Sequence, residues 1–217
     1  MKITPDVHRI DGVIGANSYL VNTDSTLVVI DTGLPGNAKR IVSYIEKLKK
    51  NSTDVSHIIL THADIDHIGS AAKLKKITNA KIAIHASDAS ILSGKSDFKS
   101  TRGPWGKLFR LFLTLMRFHA VDPDIIFQTN SEICGFQVIH TPGHTQGSIS
   151  LYIPGKLIFV GDALYKRFAL DAEQARISLG MLSKLEFDIL LPGHGTPIIG
   201  NASARFRDQI AQRIKKS

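Results

Sequence analysis

The stretch that decides the fold is IILTHADIDH, residues 58–67. Its first three residues are apolar and predict the end of a buried β-strand, so the polar side chains that follow fall on the loop after the strand. Imidazole nitrogens and carboxylate oxygens are ligands that divalent metal ions prefer. This HxDxDH cluster therefore predicts a metal site at the end of the strand, with four candidate ligands: His62, Asp64, Asp66 and His67.

Three later turns each add one more candidate ligand after another apolar run. They are the sequences TPGH ending at His144, GDA around Asp162 and PGHG around His194. A single histidine or Gly-Asp pair at a turn is usually structural, but all three occupy the same kind of place, the carboxyl end of a strand. Together with the HxDxDH cluster they predict a hydrolytic site for two metal ions.

Composition predicts one ordinary domain. The 217 residues are 43% hydrophobic and 21% charged, which suits a single domain over residues 1–217 with a sizeable core. The first residues carry no basic start followed by an apolar stretch, so we expect a cytoplasmic protein. The lone Cys134 lies in an apolar, strand-like segment, where we expect a buried thiol without chemistry.

The formal charge of +8 is concentrated in residues 91–120 and 201–217. Solvated helix faces are the simplest interpretation, and an anionic substrate or a membrane surface is the alternative. The basic segments show no nucleic-acid motif, so we expect no nucleic-acid partner. The oligomeric state stays open.

Strands and helices alternate along the chain, which indicates an α/β protein. Strand-like runs occupy residues 18–21, 26–30, 57–60, 81–85, 125–128, 136–141, 148–153, 157–160 and 189–191. Helical spacing of apolar residues marks residues 37–50, 70–77, 87–92, 172–185 and 202–216.

Residues 93–120 form an apolar and basic insertion. Within it, residues 107–118 show polar side chains at helical spacing and a wide apolar face. Such a helix is shorter than the roughly 20 residues that span a bilayer. We expect a core helix or a cover over the active site, with an interfacial membrane contact or a dimer contact as the alternatives.

These motifs resemble the metallo-β-lactamase superfamily, whose signature is HxHxDH followed by single His, Asp and His ligands. The likeness covers nearly the whole chain, because Asp31-Thr32-Gly33 resembles the first motif and the three later turns follow in order. It implies an αβ/βα four-layer sandwich, with two central β-sheets and helices on both outer faces.

The same resemblance implies a dinuclear centre with a ligand for each position. His62, Asp64 and His144 would hold one ion, and Asp66, His67 and His194 the other. Asp162 would bridge the two ions. Zinc is the ion we expect first, with manganese or iron as alternatives.

Further side chains are expected to support the reaction, in which water activated between two ions attacks a carbonyl. Asp66 would accept a hydrogen bond from that water, and Tyr165 is a candidate donor to the developing oxyanion. A ligating imidazole usually donates its other N–H to a carboxylate or carbonyl, and Asp31 is the candidate acceptor.

The substrate is defined only as a class. A small ester, lactone or thioester fits the length of the chain, and residues 107–118 would cover an acyl chain beside an anionic group. Two alternatives stay open. One is a mononuclear non-haem iron dioxygenase acting on a sulfur compound, because His62, Asp64 and His144 are a two-histidine, one-carboxylate set. The other is a non-catalytic metal-binding or membrane-associated protein of the same fold.

The chain departs from the family pattern at Asp64, where histidine is usual. Two divalent ions, three carboxylates and one hydroxide give a formally neutral site, whereas a histidine at this position leaves one positive charge. An Asp64→His variant should therefore reach its maximal rate at a lower pH than the wild type, because the added positive charge lowers the pKa of the bound water. A pH–rate profile of kcat/KM for both proteins measures this, and a shift of the variant to higher pH would contradict it.

Overall fold

The computed structural model describes residues 1–23, 26–98, 108, 111, 114–116, 118–128, 131–164 and 169–214. It divides into two compact units, Met1–Gln128 and Thr129–Ser217. The single domain expected over residues 1–217 stays a prediction.

The first unit is built on a six-stranded sheet with the strands in sequence order. Antiparallel pairing joins β1 to β2 and β2 to β3, and parallel pairing joins β3, β4, β5 and β6. The carboxyl ends of β3, β4 and β5 therefore meet at one edge of the sheet. The strands are β1 Val7–Arg9, β2 Tyr19–Asn22, β3 Leu27–Ile30, β4 Val55–Ile59, β5 Lys81–His85 and β6 Ile125–Phe127.

Helices connect the parallel strands of this unit, as parallel pairing requires. The helix α1 (Ala38–Lys47) turns three apolar side chains, Ala38, Ile41 and Ile45, to the core at helical spacing. A 3₁₀ turn (Ser52–Asp54), α2 (Ile65–Ile68), α3 (Ala71–Thr78) and α4 (Ala86–Leu92) follow.

The second unit also has six strands, paired in sequence order. All pairs are antiparallel except β10 with β11, which run parallel. The strands are β7 Ser131–Ile133, β8 Phe136–His140, β9 Ile149–Ile153, β10 Leu157–Gly161, β11 Ile189–Pro192 and β12 Ile198–Ile199. Among the described residues of this unit the helices are α5 (Ala172–Leu182) and α6 (Ala202–Ile214). Leu179 and Phe206 from these helices pack into one apolar cluster with Ile158 and Leu190 of the sheet.

Most of the helices and strands predicted from the sequence are present. The strands that the sequence did not predict are short and lie at the edges of the sheets. The sequence analysis did not identify β1, β7 or β12, each two or three residues long. The prediction that Cys134 lies buried in a strand is wrong. Cys134 and Gly135 form the two-residue turn between β7 and β8, both with positive φ (50° and 81°), and the cysteine is half-buried.

Half of the apolar segment at residues 107–118 lies outside the described residues. Of its described residues, Leu108, Leu111, Thr114 and Leu115 are helical, and the three leucines are exposed by 59%, 55% and 72%. Among the residues that the structure describes, no helix has the length and apolar character needed to cross a bilayer.

Candidate metal centre

In the first unit, the HxDxDH cluster occupies the loop after β4 and the short helix α2. His62 and His67 are completely buried, and the centroids of their rings lie 3.9 Å apart. Asp64 stands at the N-terminus of α2 in an extended conformation, with its carboxylate Oδ2 3.7 Å from Nε2 of His62. The loop therefore brings both imidazoles and a carboxylate to one place.

Asp31 is the buried carboxylate that organises this loop. It follows β3, the parallel neighbour of β4, and has a left-handed backbone with φ of 56°. Its Oδ1 accepts a hydrogen bond from the Thr61 backbone N–H, and its Oδ2 accepts one from the Thr61 hydroxyl, both at 2.8 Å. The same Oδ2 lies 2.8 Å from Nδ1 of His67. The expected contact between Asp31 and a histidine of the loop is present, and its role towards a metal ion stays a prediction.

A second buried carboxylate, Asp88, holds the loop from the other side. It lies in the first turn of α4, is 1% exposed, and its Oδ2 accepts the Ala63 backbone N–H at 2.8 Å. The sequence analysis missed Asp88, because an aspartate in the first turn of a helix is ordinarily explained by the helix dipole.

The backbone after β3 fixes the position of Asp66 and His67. The Thr32 N–H and hydroxyl both donate to the His67 carbonyl, at 2.7 and 2.9 Å. The Ala16 N–H donates to the Asp66 carbonyl at 3.2 Å, and a Cβ at Gly15 would lie 3.0 Å from the Asp66 Cβ. Asp66 is thus held between two loops, while its side chain stays half-buried.

In the second unit, His144 lies on the turn after β8 and is 4% exposed. The Thr141 N–H donates a hydrogen bond of 2.8 Å to the Ser148 carbonyl, and this bond closes the loop that contains His144. Gly143 has φ of 136° and packs so tightly on α5 that a Cβ there would meet the backbone of Ala175 at 2.4 Å. The Pro-Gly turn therefore has one conformation available, and it positions the next residue, His144.

Asp162 lies at the end of β10, between two histidines. Its Oδ2 is 3.5 Å from Nε2 of His144 and 3.6 Å from Nε2 of His194. His194 follows β11, the parallel neighbour of β10, and the Gly193 N–H donates to the Gly161 carbonyl at 2.7 Å. Parallel pairing thus brings the two strand ends, and with them the carboxylate and one imidazole, together.

These separations fit ligands of a metal ion. Two ligand atoms at about 2.0–2.1 Å from a tetrahedral ion are about 3.3–3.4 Å apart. The separations from the histidine Nε2 atoms to the carboxylates of Asp64 and Asp162 are 3.5, 3.6 and 3.7 Å, longer than an ordinary hydrogen bond. The protein therefore carries clusters of histidine and aspartate that are capable of binding metal ions.

Two other side chains bear on the site. Tyr165, the candidate oxyanion donor, lies outside the described residues. His85, at the end of β5, has a structural role: its Nδ1 accepts the Ser87 N–H at 3.3 Å, and its Nε2 lies 3.2 Å from the Gln128 carbonyl. The ring therefore caps α4 and ties β5 to the residue after β6.

Comparison with known proteins identifies the family. The family model described as the metallo-β-lactamase superfamily matches residues 11–194. The chain belongs to this superfamily. Among curated relatives, the probable metallo-hydrolase YflN of Bacillus subtilis (strain 168) is 28% identical over 92% of this chain and 88% of its own length. The thioesterase pkgB of Emericella nidulans is 29% identical over 93% of this chain and 53% of its own length.

A solved structure shows the same fold. The metallo-β-lactamase of Cronobacter sakazakii with a HARLDQ motif superposes with a TM-score of 0.76 at 24% identity, over 100% of this chain and 96% of its own. The predicted fold class, the α/β sandwich of the metallo-β-lactamase type, is therefore confirmed.

The turn before His144 offers a test of how the loop is positioned. A Gly143→Ala variant should lower the free energy of unfolding by at least about 2 kcal/mol, because a Cβ would overlap Ala175 and strain the backbone at a positive φ. Urea denaturation measures this change.

Gly180→Ala is the matched control for that substitution. Gly180 lies inside α5, where a Cβ meets nothing within 4 Å, so alanine should raise stability by about 0.5–1 kcal/mol. Equal stability of the Gly143→Ala variant and the wild type would contradict the close packing described for the turn.

Proposed function

We propose that the protein is a metal-dependent hydrolase of a small ester, lactone or thioester. The observation that carries the proposal is the position of Asp162, whose one oxygen lies 3.5 and 3.6 Å from the Nε2 atoms of two histidines. That arrangement is the one expected of a carboxylate that bridges two ions. The proposed ligands are His62, Asp64 and His144 for one ion, Asp66, His67 and His194 for the other, and Asp162 for both.

The chemistry of the donors supports two hard or borderline divalent ions. Four imidazoles and three carboxylates suit zinc, and the carboxylate share also suits manganese or iron. Thiolate ligands, which favour softer ions, are absent from the proposed set. We keep zinc as the first expectation.

Two ions at such a site would supply a water activated for attack and a Lewis acid for the carbonyl oxygen. Side chains of the protein would orient the water and the metal ligands. Asp66 would accept a hydrogen bond from the attacking water, and Asp31 would hold the ring of His67 through its Nδ1 at 2.8 Å. Donation from Tyr165 to the oxyanion stays a prediction.

The class of substrate rests on the relatives. YflN is called a probable metallo-hydrolase and pkgB a thioesterase, and each aligns with more than 90% of this chain. We therefore place thioesters first, with esters and lactones as related acyl substrates that the same attack would cleave. A cytoplasmic location stays a prediction.

Metal content and turnover test this proposal together. Purified protein should hold two equivalents of zinc or manganese by mass spectrometry. His144→Ala and His194→Ala should each retain about one equivalent, and Asp162→Ala should lose both, because it takes a ligand from each ion. With an acyl thioester as substrate under anaerobic conditions, Asp162→Ala should reduce kcat/KM by about 1000-fold, the equivalent of several kcal/mol.

The exposed His119 supplies the control, since His119→Ala should change neither metal content nor rate. A panel of thioester, lactone, phosphodiester and β-lactam substrates defines the class. One iron per chain with oxygen consumption on a sulfur compound would replace the proposal with the dioxygenase alternative. Full metal content without turnover on any substrate of the panel would support a non-catalytic protein.

We further propose that residues 107–118 contact an anionic membrane surface. Leu108, Leu111 and Leu115 recur at helical spacing and are each more than half exposed, which does not fit a core helix. The same stretch of sequence carries Lys107, Arg110 and Arg117, and a basic amphipathic stretch of this kind binds anionic lipid. Two of the alternatives considered above, a cover over the active site and a dimer contact, predict no such binding.

Vesicle sedimentation tests the membrane contact. The wild type should sediment with phosphatidylglycerol vesicles more than with phosphatidylcholine vesicles, and replacement of the three leucines by serine should abolish the difference. Serine at Leu170, Ile177 and Ile199, which are also more than half exposed, is the matched control and should leave sedimentation unchanged. Equal sedimentation of the wild type and the leucine variant would reject the membrane contact.

A further inference from the structure

Thr61 links the buried carboxylate of Asp31 to the ring of His62. It lies two residues after the end of β4 and is 2% exposed. Its hydroxyl Oγ1 lies 2.8 Å from Oδ2 of Asp31 and 3.0 Å from Nδ1 of His62. One hydroxyl therefore contacts a carboxylate on one side and an imidazole on the other.

The number of protons fixes the direction of both hydrogen bonds. A carboxylate only accepts, and a threonine hydroxyl has a single proton to give. Thr61 therefore donates to Asp31 and can only accept at His62. It follows that Nδ1 of His62 carries the proton, and that Nε2 of the neutral ring holds the lone pair.

His67 adopts the same tautomer through a direct contact with Asp31. Its Nδ1 lies 2.8 Å from the Asp31 Oδ2 that also accepts from Thr61, so Nδ1 carries the proton. Its Nε2 then holds the lone pair. Nε2 is also the atom of His62 that faces the Asp64 carboxylate at 3.7 Å. A metal ion binds the nitrogen that lacks a proton, so both rings would present the ligating atom.

We propose that Thr61 is a positioning residue that selects the tautomer of His62, so that Asp31 sets the metal-binding nitrogen of both histidines. This inference rests on the proposed function, because it assigns the Nε2 atoms to metal ions. The side chain of threonine suits the task, since its branched Cβ restricts χ1 and holds the hydroxyl in place. Reversal of the His62 tautomer would require Thr61 to withdraw its proton from Asp31, which costs a charge-assisted hydrogen bond.

The tautomer can be observed directly in the metal-free full chain. Long-range ¹H–¹⁵N correlation spectra of histidine-labelled protein distinguish a proton on Nδ1 from a proton on Nε2. In the wild type His62 should be the Nδ1–H form. In Thr61→Val, which has the same shape but no hydroxyl, His62 should shift to a mixture with the Nε2–H form. Thr61→Ser should restore the Nδ1–H form.

Zinc affinity provides the second measurement. Competition with a chromophoric chelator should show affinity at one of the two positions reduced by about 10-fold or more in Thr61→Val, the effect usual for loss of a group that orients a ligand. Thr61→Ser should stay close to the wild type. A Thr61→Val effect on affinity without a change of tautomer would overturn the proposal, because a general loss of stability could cause it.

Thr32→Val is the matched control. Thr32 is also fully buried, and its hydroxyl donates to the His67 carbonyl and accepts the Ser70 N–H, so it contacts the loop but neither ring. This variant should leave the His62 tautomer unchanged. A wild-type His62 protonated on Nε2, or a tautomer unaffected in Thr61→Val, would reject the inference. If Thr61→Val does not fold, Thr61→Ala, which also lacks the hydroxyl, replaces it with the same expected shift of the His62 tautomer.

The outcomes separate this inference from the proposed function. The tautomer is read without metal and without substrate. A protein that binds no zinc but shows the Nδ1–H form would overturn the proposed function and leave the tautomer selection by Thr61 standing. A zinc hydrolase with the Nε2–H form would do the opposite.

Discussion

The hydrogen bonds of the buried Asp31 carboxylate are the interaction on which the histidine and aspartate cluster of the first unit depends. The carboxylate accepts the Thr61 N–H, the Thr61 hydroxyl and Nδ1 of His67, each at 2.8 Å. Without the carboxylate these buried donors would lose their partners, at about 1–3 kcal/mol for each group. The left-handed backbone of Asp31 is a further cost, which aspartate tolerates better than most residues. The carboxylate thus fixes the backbone after β4 and the orientation of the rings at the same time.

In the second unit the candidate ligands also lie at strand ends, but strand pairing and a tight turn position them. There the parallel pair β10 and β11 places Asp162 and His194 at neighbouring strand ends, and the Gly193 N–H bonds the Gly161 carbonyl. The antiparallel strand β8 delivers His144 through a Pro-Gly turn that α5 confines. In both units rigid strands end where the polar side chains begin, so few torsion angles separate each candidate ligand from the sheet. Such short connections keep the ligands in place at low entropic cost.

The sequence predicted buried strands more accurately than exposed edge strands. The strand β5 was predicted with its observed bounds because four of its five residues are buried and the apolar run is continuous. The edge strand β7 gave no such signal, because two of its three residues are polar, and the neighbouring Cys134 was placed in a strand although it forms the turn. The contact of Asp31 with a histidine of the loop followed from the chemistry of imidazole ligands, and the structure shows that the histidine is His67. Asp88 could not be predicted, since only the fold brings α4 beside the loop at Ala63.

The position of Asp64 allows two explanations to be compared for a carboxylate where the family pattern has histidine, namely helix capping and metal binding. Aspartate is common at the N-terminus of helices because its side chain accepts a backbone N–H of the first turn. In α2 the Asp64 side chain makes no such capping hydrogen bond, and its oxygen instead lies 3.7 Å from Nε2 of His62. Helix capping therefore does not explain the residue. The position of the oxygen, 3.7 Å from Nε2 of His62, agrees with the proposed role of Asp64 as a metal ligand, whose negative charge would lower the net charge of the proposed site.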